Sequence, residues 1–449
     1  MKAQQLTALL VTGMAVHFFG GSVYAQSTVT TPDSKLPADA APAAKSLTDY
    51  LKRTIKVTAA VRVRWEGPEG SNFTITPSDS YTLSRIRLGI AYQPASWVRL
   101  FAETQDSRAE FYKSVPNNTI VDPFDLRQSY VELGKIEGNG LKIRTGRQDL
   151  AIGSGRLVTS GDWSNITKSF DVLHGYVTTA SMKMDVIAGS VLLVDPTRMD
   201  RNKPGEHFYV AYAAFGKLIP QASIEPYVMA KTAMNVKGKD GKLGDADTIY
   251  GGARLAGKLP AGFDYTAEAV REGGSYSDET VQAFGYATGA GWTFAKAPWH
   301  PRLNSDYVWA SGSDNRKDGH HQSFDYLYGT QQPPNGLTGL FCWRNIEALR
   351  AGVETAPIKN LTVAVSYRDY WLATTQDSLY SGTGVATVTN VKATSNHVGE
   401  GVESMWTWKA NSKTTVGAGI GTLTPGSYLK QSNKTTGFLY PYIVFTRVL

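Results

Sequence analysis

The stretch Gly146 to Asn165, GRQDLAIGSGRLVTSGDWSN, gathers glycines, arginines and aspartates around a Gly153-Ser154-Gly155-Arg156 centre. A phosphate cradle would need a later Gly-Lys-Ser/Thr, which does not follow. A dinucleotide fingerprint would need a third glycine where Val158 stands. A nucleophile elbow would need Gly-x-Ser-x-Gly, whereas here both glycines touch the serine directly. A connection that folds back into something fits better, as a constriction loop anchored by Arg156, Asp162 and Trp163. The alternative is an ordinary surface loop with capped turns. His174, His207, His300, His320, His321 and His397 are scattered. No triad or metal-ligand spacing joins them, so no catalytic residue, metal or cofactor is assigned.

The larger set is basic. Arg62, Arg64, Arg85, Arg87, Arg99, Arg144, Arg254, Arg350 and Arg368, with Lys56 and Lys142, fall on one parity of their segments. The acids of that parity are fewer: Glu66, Glu103, Glu132, Glu268, Asp306 and Glu354. A guanidinium stays charged and meets a carboxylate with two parallel donors. Rings of Arg and Lys make anion pathways, in which several weak sites let a solute move on. The rival explanation is a set of wall ladders by which a polar lumen satisfies itself. Formal net charge is +7, so the placement of the arginines matters more than their excess.

The elements that must hold these residues alternate with period two. In Ile55 to Glu66, Ile55, Val57, Ala59, Val61, Val63 and Trp65 oppose Lys56, Arg62, Arg64 and Glu66. Ile86, Leu88 and Ile90 oppose Arg85 and Arg87; Leu349, Ala351 and Val353 oppose Arg350 and Glu354. Such alternation marks strands with one apolar face. A soluble sandwich and a membrane barrel both alternate, and periodicity does not choose between them.

Connections do choose. About eighteen segments of roughly ten residues can be drawn, the length a tilted strand needs to cross a bilayer. Short links, such as Lys135 to Gly140, Pro260-Ala261 and Ala410-Asn411, alternate with long ones. The long ones include Gly67 to Ser80, Arg108 to Asp125, Ala151 to Ser169, Asn235 to Ala246, Ser311 to Arg344 and Leu372 to Ser395. The predicted fold is all-β: an antiparallel up-and-down transmembrane barrel with short periplasmic turns and long extracellular loops. An even strand number lets the last strand close on the first and removes both edges. Gly146 is expected to bend its strand, leaving the facing of Arg147 and Gln148 open.

The ends agree with export. Lys2, the apolar run Leu6 to Phe19 and Val23-Tyr24-Ala25 read as a signal peptide over 1–25. An Ala/Pro-rich periplasmic leader over 26–53 follows, then the barrel over 54–449. Cys342 is the single cysteine, so no intrachain disulfide forms. Near the C-terminus, Thr435, Gly437, Tyr440 and Tyr442 have a spacing similar to the assembly signal of bacterial outer-membrane barrels.

Several blocks carry a family resemblance: DLRQSYVELG (Asp125 to Gly134), KIRTGRQDLAIGSGRL (Lys142 to Leu157) and SGDWSNITKSFD (Ser160 to Asp171). Further ones are GGARLAGKLPAGFDYTAEAVREGG (Gly251 to Gly274) and TPGSYLK (Thr424 to Lys430). Together they resemble the alginate export family of Gram-negative outer-membrane proteins. The resemblance implies a barrel of this size in the bacterial outer membrane, exporting an anionic polysaccharide through an arginine-rich pore. The resulting expectation is a monomeric channel in outer-membrane lipid, with no cofactor and no nucleic-acid partner. It would pass an anionic saccharide or small organic anion by diffusion, with a periplasmic partner delivering cargo. A general porin of little selectivity and an outer-membrane hydrolase are the alternatives.

Overall fold

The computed structural model describes residues 46–449 apart from 76–78, 114–118, 316–317 and 331–335. The signal peptide expected over 1–25 and the leader as far as residue 45 lie outside the described residues. The leader's last stretch forms a helix, Leu47–Thr54, whose N-cap Ser46 accepts from the Asp49 amide at 3.2 Å. The first strand, β1, begins directly after it at Ile55.

Eighteen long strands follow one another round a single closed antiparallel sheet. The first five are β1 (Ile55–Glu66), β2 (Tyr81–Ala95), β3 (Val98–Glu110), β4 (Asp122–Gly134) and β5 (Gly140–Gln148). Closure comes from β1 pairing with the last strand, Phe438–Val448, in a register that sets Ala60 opposite Val448 and Glu66 opposite Tyr442. No edge is left open, so each ladder amide and carbonyl finds a partner inside the sheet. Pro441 offers no amide, but its carbonyl still accepts from Gly67 N at 3.1 Å.

The alternation resolves into an inside and an outside. Arg62, Arg64, Arg85 and Arg87 are buried, while Val57, Val63, Trp65, Ile86, Leu88 and Ile90 stand exposed on the outer wall. A soluble sandwich would put its apolar face inward; this wall puts it outward, as lipid requires. Exposed Trp97, Trp292, Trp299 and Trp408 sit beside the short turns, as an interfacial aromatic girdle does. The arrangement places the barrel in the bacterial outer membrane.

Two details differ from the sequence reading. The strands Ala222–Lys237 and Leu243–Leu259 are 16 and 17 residues long, so the long loop expected over 235–246 shrinks to a tight link. The ladder survives a register shift between Ala233 and Val236 and carries on outward. The outer link at Ser277-Asp278 is likewise a tight turn between two extended strands. Gly146 does not break parity: β5 pairs without a shift through Gln148, which is buried, while Arg147 lies on the other face. The glycine is needed for another reason, since its φ is +118° and a Cβ there would stand 2.3 Å from the Ser129 carbonyl oxygen.

The lumen on the side of the long connections is filled. Leu150, Ile152, Leu157 and Val158 of the 149–169 connection pack into one apolar cluster with Phe324, Tyr326, Tyr328, Phe341 and Trp343 of the 311–345 connection. Inward Phe170, Phe208, Tyr250 and Val308 of the wall complete that cluster. One arc of the wall is therefore apolar and carries folded loops, while the arc of β1 to β5 is basic.

Candidate functional site

The basic arc is built by parity. Positions 62 and 64 on β1 and 85 and 87 on β2 alternate inward, and β1 pairs β2 with Arg62 directly opposite Arg85. Four guanidinia thus meet on adjoining strands. A fifth joins them from β4. A register shift between Glu103 and Thr104 turns Arg127 inward beside Gln128, against simple alternation. Arg127 bonds Glu103 and Asp149 and donates through Nε to Thr167 Oγ1 at 2.9 Å.

The 149–169 connection crosses the lumen to reach this arc. At one end Ser154 Oγ donates to Glu268 at 2.8 Å, and Arg156 Nε stands 3.8 Å from the same carboxylate. Glu268 belongs to the strand Phe263–Tyr276, half-way round the closed sheet from β1 and β2. At the other end Asp162 Oδ1 accepts from Arg85 at 2.8 Å and from Arg87 at 3.1 Å. Main-chain oxygens complete the contact. Arg62 donates to the Asp162 carbonyl at 2.5 Å and the Ser164 carbonyl at 2.7 Å, and Arg64 to the Trp163 carbonyl at 2.5 Å. The Arg64 guanidinium also lies over the Trp163 ring, 4.4 Å from its centroid, and Tyr442 meets that ring edge-on at 4.8 Å. The 149–169 segment thus lies against the inner wall, and Arg156, Asp162 and Trp163 are among its contacts.

Burial alone would raise the Asp162 carboxyl, but Arg85, Arg87 and Arg62 outweigh it and hold the group well below the usual carboxylate range. These arginines therefore favour the charged form of the aspartate. Burial has the opposite result at Lys168, whose ammonium is pushed down from 10.5 to about 8. This lysine donates to the carbonyls of Gly329 at 2.8 Å and Tyr328 at 3.3 Å, tying the two inner connections together. Tyr328 N also donates to Leu157 O at 2.8 Å, so the loops share a short ladder.

A lysine whose pKa is lower when docked loses docking stability as pH falls through about 8, and regains it as pH rises towards its undocked value. Loop docking should therefore tighten between pH 8 and 10. Single-channel records should show conductance falling over that range, and Lys168→Met should remove the slope.

The other arginines sit in different company. Arg254 Nη1 donates to both oxygens of Glu225, at 2.7 and 2.8 Å, and Tyr212 and Ser223 hold the same carboxylate. Arg368 pairs with Glu403 at 2.9 Å, and Arg350 with Asp306 at 2.6 Å and Asn304 at 2.5 Å. Arg144 lies over Tyr130 and 3.3 Å from Glu132, while Arg99 stands 3.6 Å from Glu132 and 3.1 Å from Gln93. Of the wall residues selected on parity, Arg62, Arg64, Arg85 and Arg87 converge on the Asp162 end of the crossing segment, and Glu268 meets its Ser154 end. Arg254 is held by the wall itself. Arg254→Ser would leave Glu225 buried with hydroxyl donors alone, an expected loss of about 3 kcal/mol. The urea midpoint in lipid vesicles should fall accordingly.

Alternation missed Arg127, because a bulge reverses parity there, and it missed Glu225 and Glu403. It also missed the 311–345 connection as an inner element. Its apolar runs, Tyr326-Leu327-Tyr328 and Phe341-Cys342-Trp343, were the available signal, since a solvated loop has no use for them.

A closed barrel with a lipid-facing apolar wall, a polar interior arc and connections folded into its mouth defines an outer-membrane channel protein. The chain belongs to the alginate export family, whose model matches residues 53–438. Among solved structures, OpdQ of Pseudomonas aeruginosa is similar at 10% identity and a TM-score of 0.58, covering 88% of this chain and 98% of that one. OccD3 (OpdP) of the same organism is similar at 10% identity and 0.57, over 88% and 91% of the two chains. OccK5 (OpdH), also from that organism, gives 10% identity and 0.56 over 88% and 98%. At this identity the likeness is one of fold. A comparison with curated protein sequences finds no match.

Proposed function

We propose that the protein passes anionic solutes, a carboxylated oligo- or polysaccharide of the alginate type, by passive diffusion along the arginine arc. One observation carries the reading. Arg62, Arg64, Arg85 and Arg87 are satisfied chiefly by carbonyls and one carboxylate of a connection, not by acids of the wall. Only Arg64 has a wall acid in contact, Glu66 at 2.5 Å. A ladder meant only to hold a barrel together would be neutralised strand to strand, as Arg254 and Arg368 are. An arc neutralised by a loop can exchange that loop for a solute carboxylate, because a guanidinium offers each the same paired donors. Trp163 beside Arg64, and Tyr130 and Tyr176 beside Arg144, offer flat faces on which sugar rings can rest.

No step in this reading needs a cofactor or a catalytic residue; the protein is a monomeric channel in outer-membrane lipid, fed by a periplasmic partner, and nucleic acid has no part in it.

The test is a planar-bilayer record under a salt gradient. An anion-favouring reversal potential, with current reduced by uronic-acid oligomers, is the expected outcome. No ion preference and no block would make the protein a general porin and remove the proposal.

A further inference from the structure

Three aspartates meet near the extracellular rim. Asp122 opens β4, Asp125 follows three residues later across a register shift, and Asp200 comes from the connection between the strands Met182–Leu193 and Glu206–Ile219. One carboxylate oxygen of each lies within 4.8 Å of the others. Oxygens that share one Ca²⁺ at roughly 2.4 Å can stand no more than roughly 4.8 Å apart, so the span suits a single ion.

The partners of the three are unequal. Asp125 accepts from the Asp200 amide at 2.5 Å and lies 3.4 Å from Arg147. Asp200 Oδ1 accepts from the Asp195 amide at 2.8 Å. Asp122 is 3% exposed, and among the described residues its carboxylate makes no hydrogen bond and no ion pair. It faces Asp125 and Asp200, with Asp106 and Asp195 also within reach of its charge. An unpartnered buried carboxylate beside two more is costly unless something positive joins it. Arg147 does not supply enough. Its guanidinium is already divided among Asp171 at 3.1 Å, the Leu126 carbonyl at 2.9 Å and the Asp200 carbonyl at 2.9 Å. Two carboxylates, Asp125 and Asp171, thus share one guanidinium here.

We propose that Asp122, Asp125 and Asp200 bind one divalent hard cation, Ca²⁺ in the extracellular medium, and that the ion pins the 194–205 connection to the barrel rim. Oxygen-only ligands, an exterior location and three carboxylates suit Ca²⁺. The sequence hides the site, because Asp200 is remote in the chain from Asp122 and Asp125.

The proposal is tested on the folded protein in detergent by calorimetric titration with CaCl₂, and by thermal unfolding in CaCl₂ against EGTA. Wild type should bind one Ca²⁺ and unfold several degrees higher when loaded, as a ligand of the native state requires. Asp122→Asn and Asp200→Asn should each weaken Ca²⁺ binding at least tenfold. In EGTA both variants should unfold no lower than wild type, because each removes a repelling charge; this separates a lost ligand from a misfolded barrel. Absence of Ca²⁺ binding by wild type at millimolar concentration would overturn the proposal. So would binding that both variants leave unchanged, which would place the ion elsewhere. Stabilisation by Asp122→Asn with a wild type indifferent to Ca²⁺ would overturn it in favour of a shared proton.

Discussion

Asp162→Asn is expected to raise single-channel conductance at least twofold and to tighten block by a monomeric uronate about tenfold. Asparagine keeps the shape and one acceptor oxygen but removes the charge that Arg85 and Arg87 share at 2.8 and 3.1 Å. Hydrogen bonds to a charged group contribute about 1.5–3 kcal/mol each, more than a neutral acceptor recovers. A net loss of about 2 kcal/mol would shift the docked-to-free ratio of the connection roughly thirtyfold. The other anchor, Ser154 on Glu268, stays in place, so the segment should swing from the arginine end and not leave the lumen. The freed guanidinia would then meet a solute carboxylate without competition, and a tenfold gain in affinity needs only about 1.4 kcal/mol. If Asp162 were merely a turn residue of a rigid loop, conductance and block would both be unchanged. Bilayer recording of the variant against wild type decides it.

The frame of this site was legible because each strand states its own facing. Arg62 and Arg64 alternate with Val61, Val63 and Trp65, and no tertiary knowledge is needed to see that one set meets lipid if the other meets water. Asp162 and Trp163 were legible by type: an acid and an indole in a glycine-rich connection have something to hold. The rest depended on information that alternation does not carry. Arg127 faces inward because β4 gains a residue against β3, and a bulge leaves no mark in the residue pattern. Arg254 and Arg85 look alike in sequence, yet one is matched by Glu225 on the neighbouring strand and the other by an aspartate 77 residues away. Pairing register, not residue type, separates arginines matched strand to strand from those matched by the crossing connection. The 311–345 connection was read by length as an outer loop, whereas Phe324 and Trp343 are fully buried inside.

Replacing Arg85 and Arg87 together by Ser is expected to reverse ion preference, where the Asp162 change sharpens it. Around the crossing segment, Arg62, Arg64, Arg85, Arg87 and Arg127 face Glu66, Glu103, Asp149 and Asp162. Positive charge exceeds negative by about one, and charges this close govern the local potential because the Debye length is about 8 Å at physiological salt. Removing two guanidinia turns the excess into a deficit, so the reversal potential under a salt gradient should change sign. Arg85 and Arg87 have no wall acid as their main partner, so the barrel should keep its unfolding midpoint, unlike Arg254→Ser. A second signature separates this from a general loss of structure. In wild type the Asp162 carboxyl is held so low that docking is insensitive to mild acid. Without Arg85 and Arg87 the burial that remains favours the neutral form, and Asp162 should take up a proton as pH falls through the carboxylate range. The variant's cation preference should therefore fade between about pH 6 and pH 4, whereas wild type holds its anion preference across it. Reversal potentials unchanged in sign at neutral pH would separate Arg85 and Arg87 from the solute path and leave them as anchors of the loop.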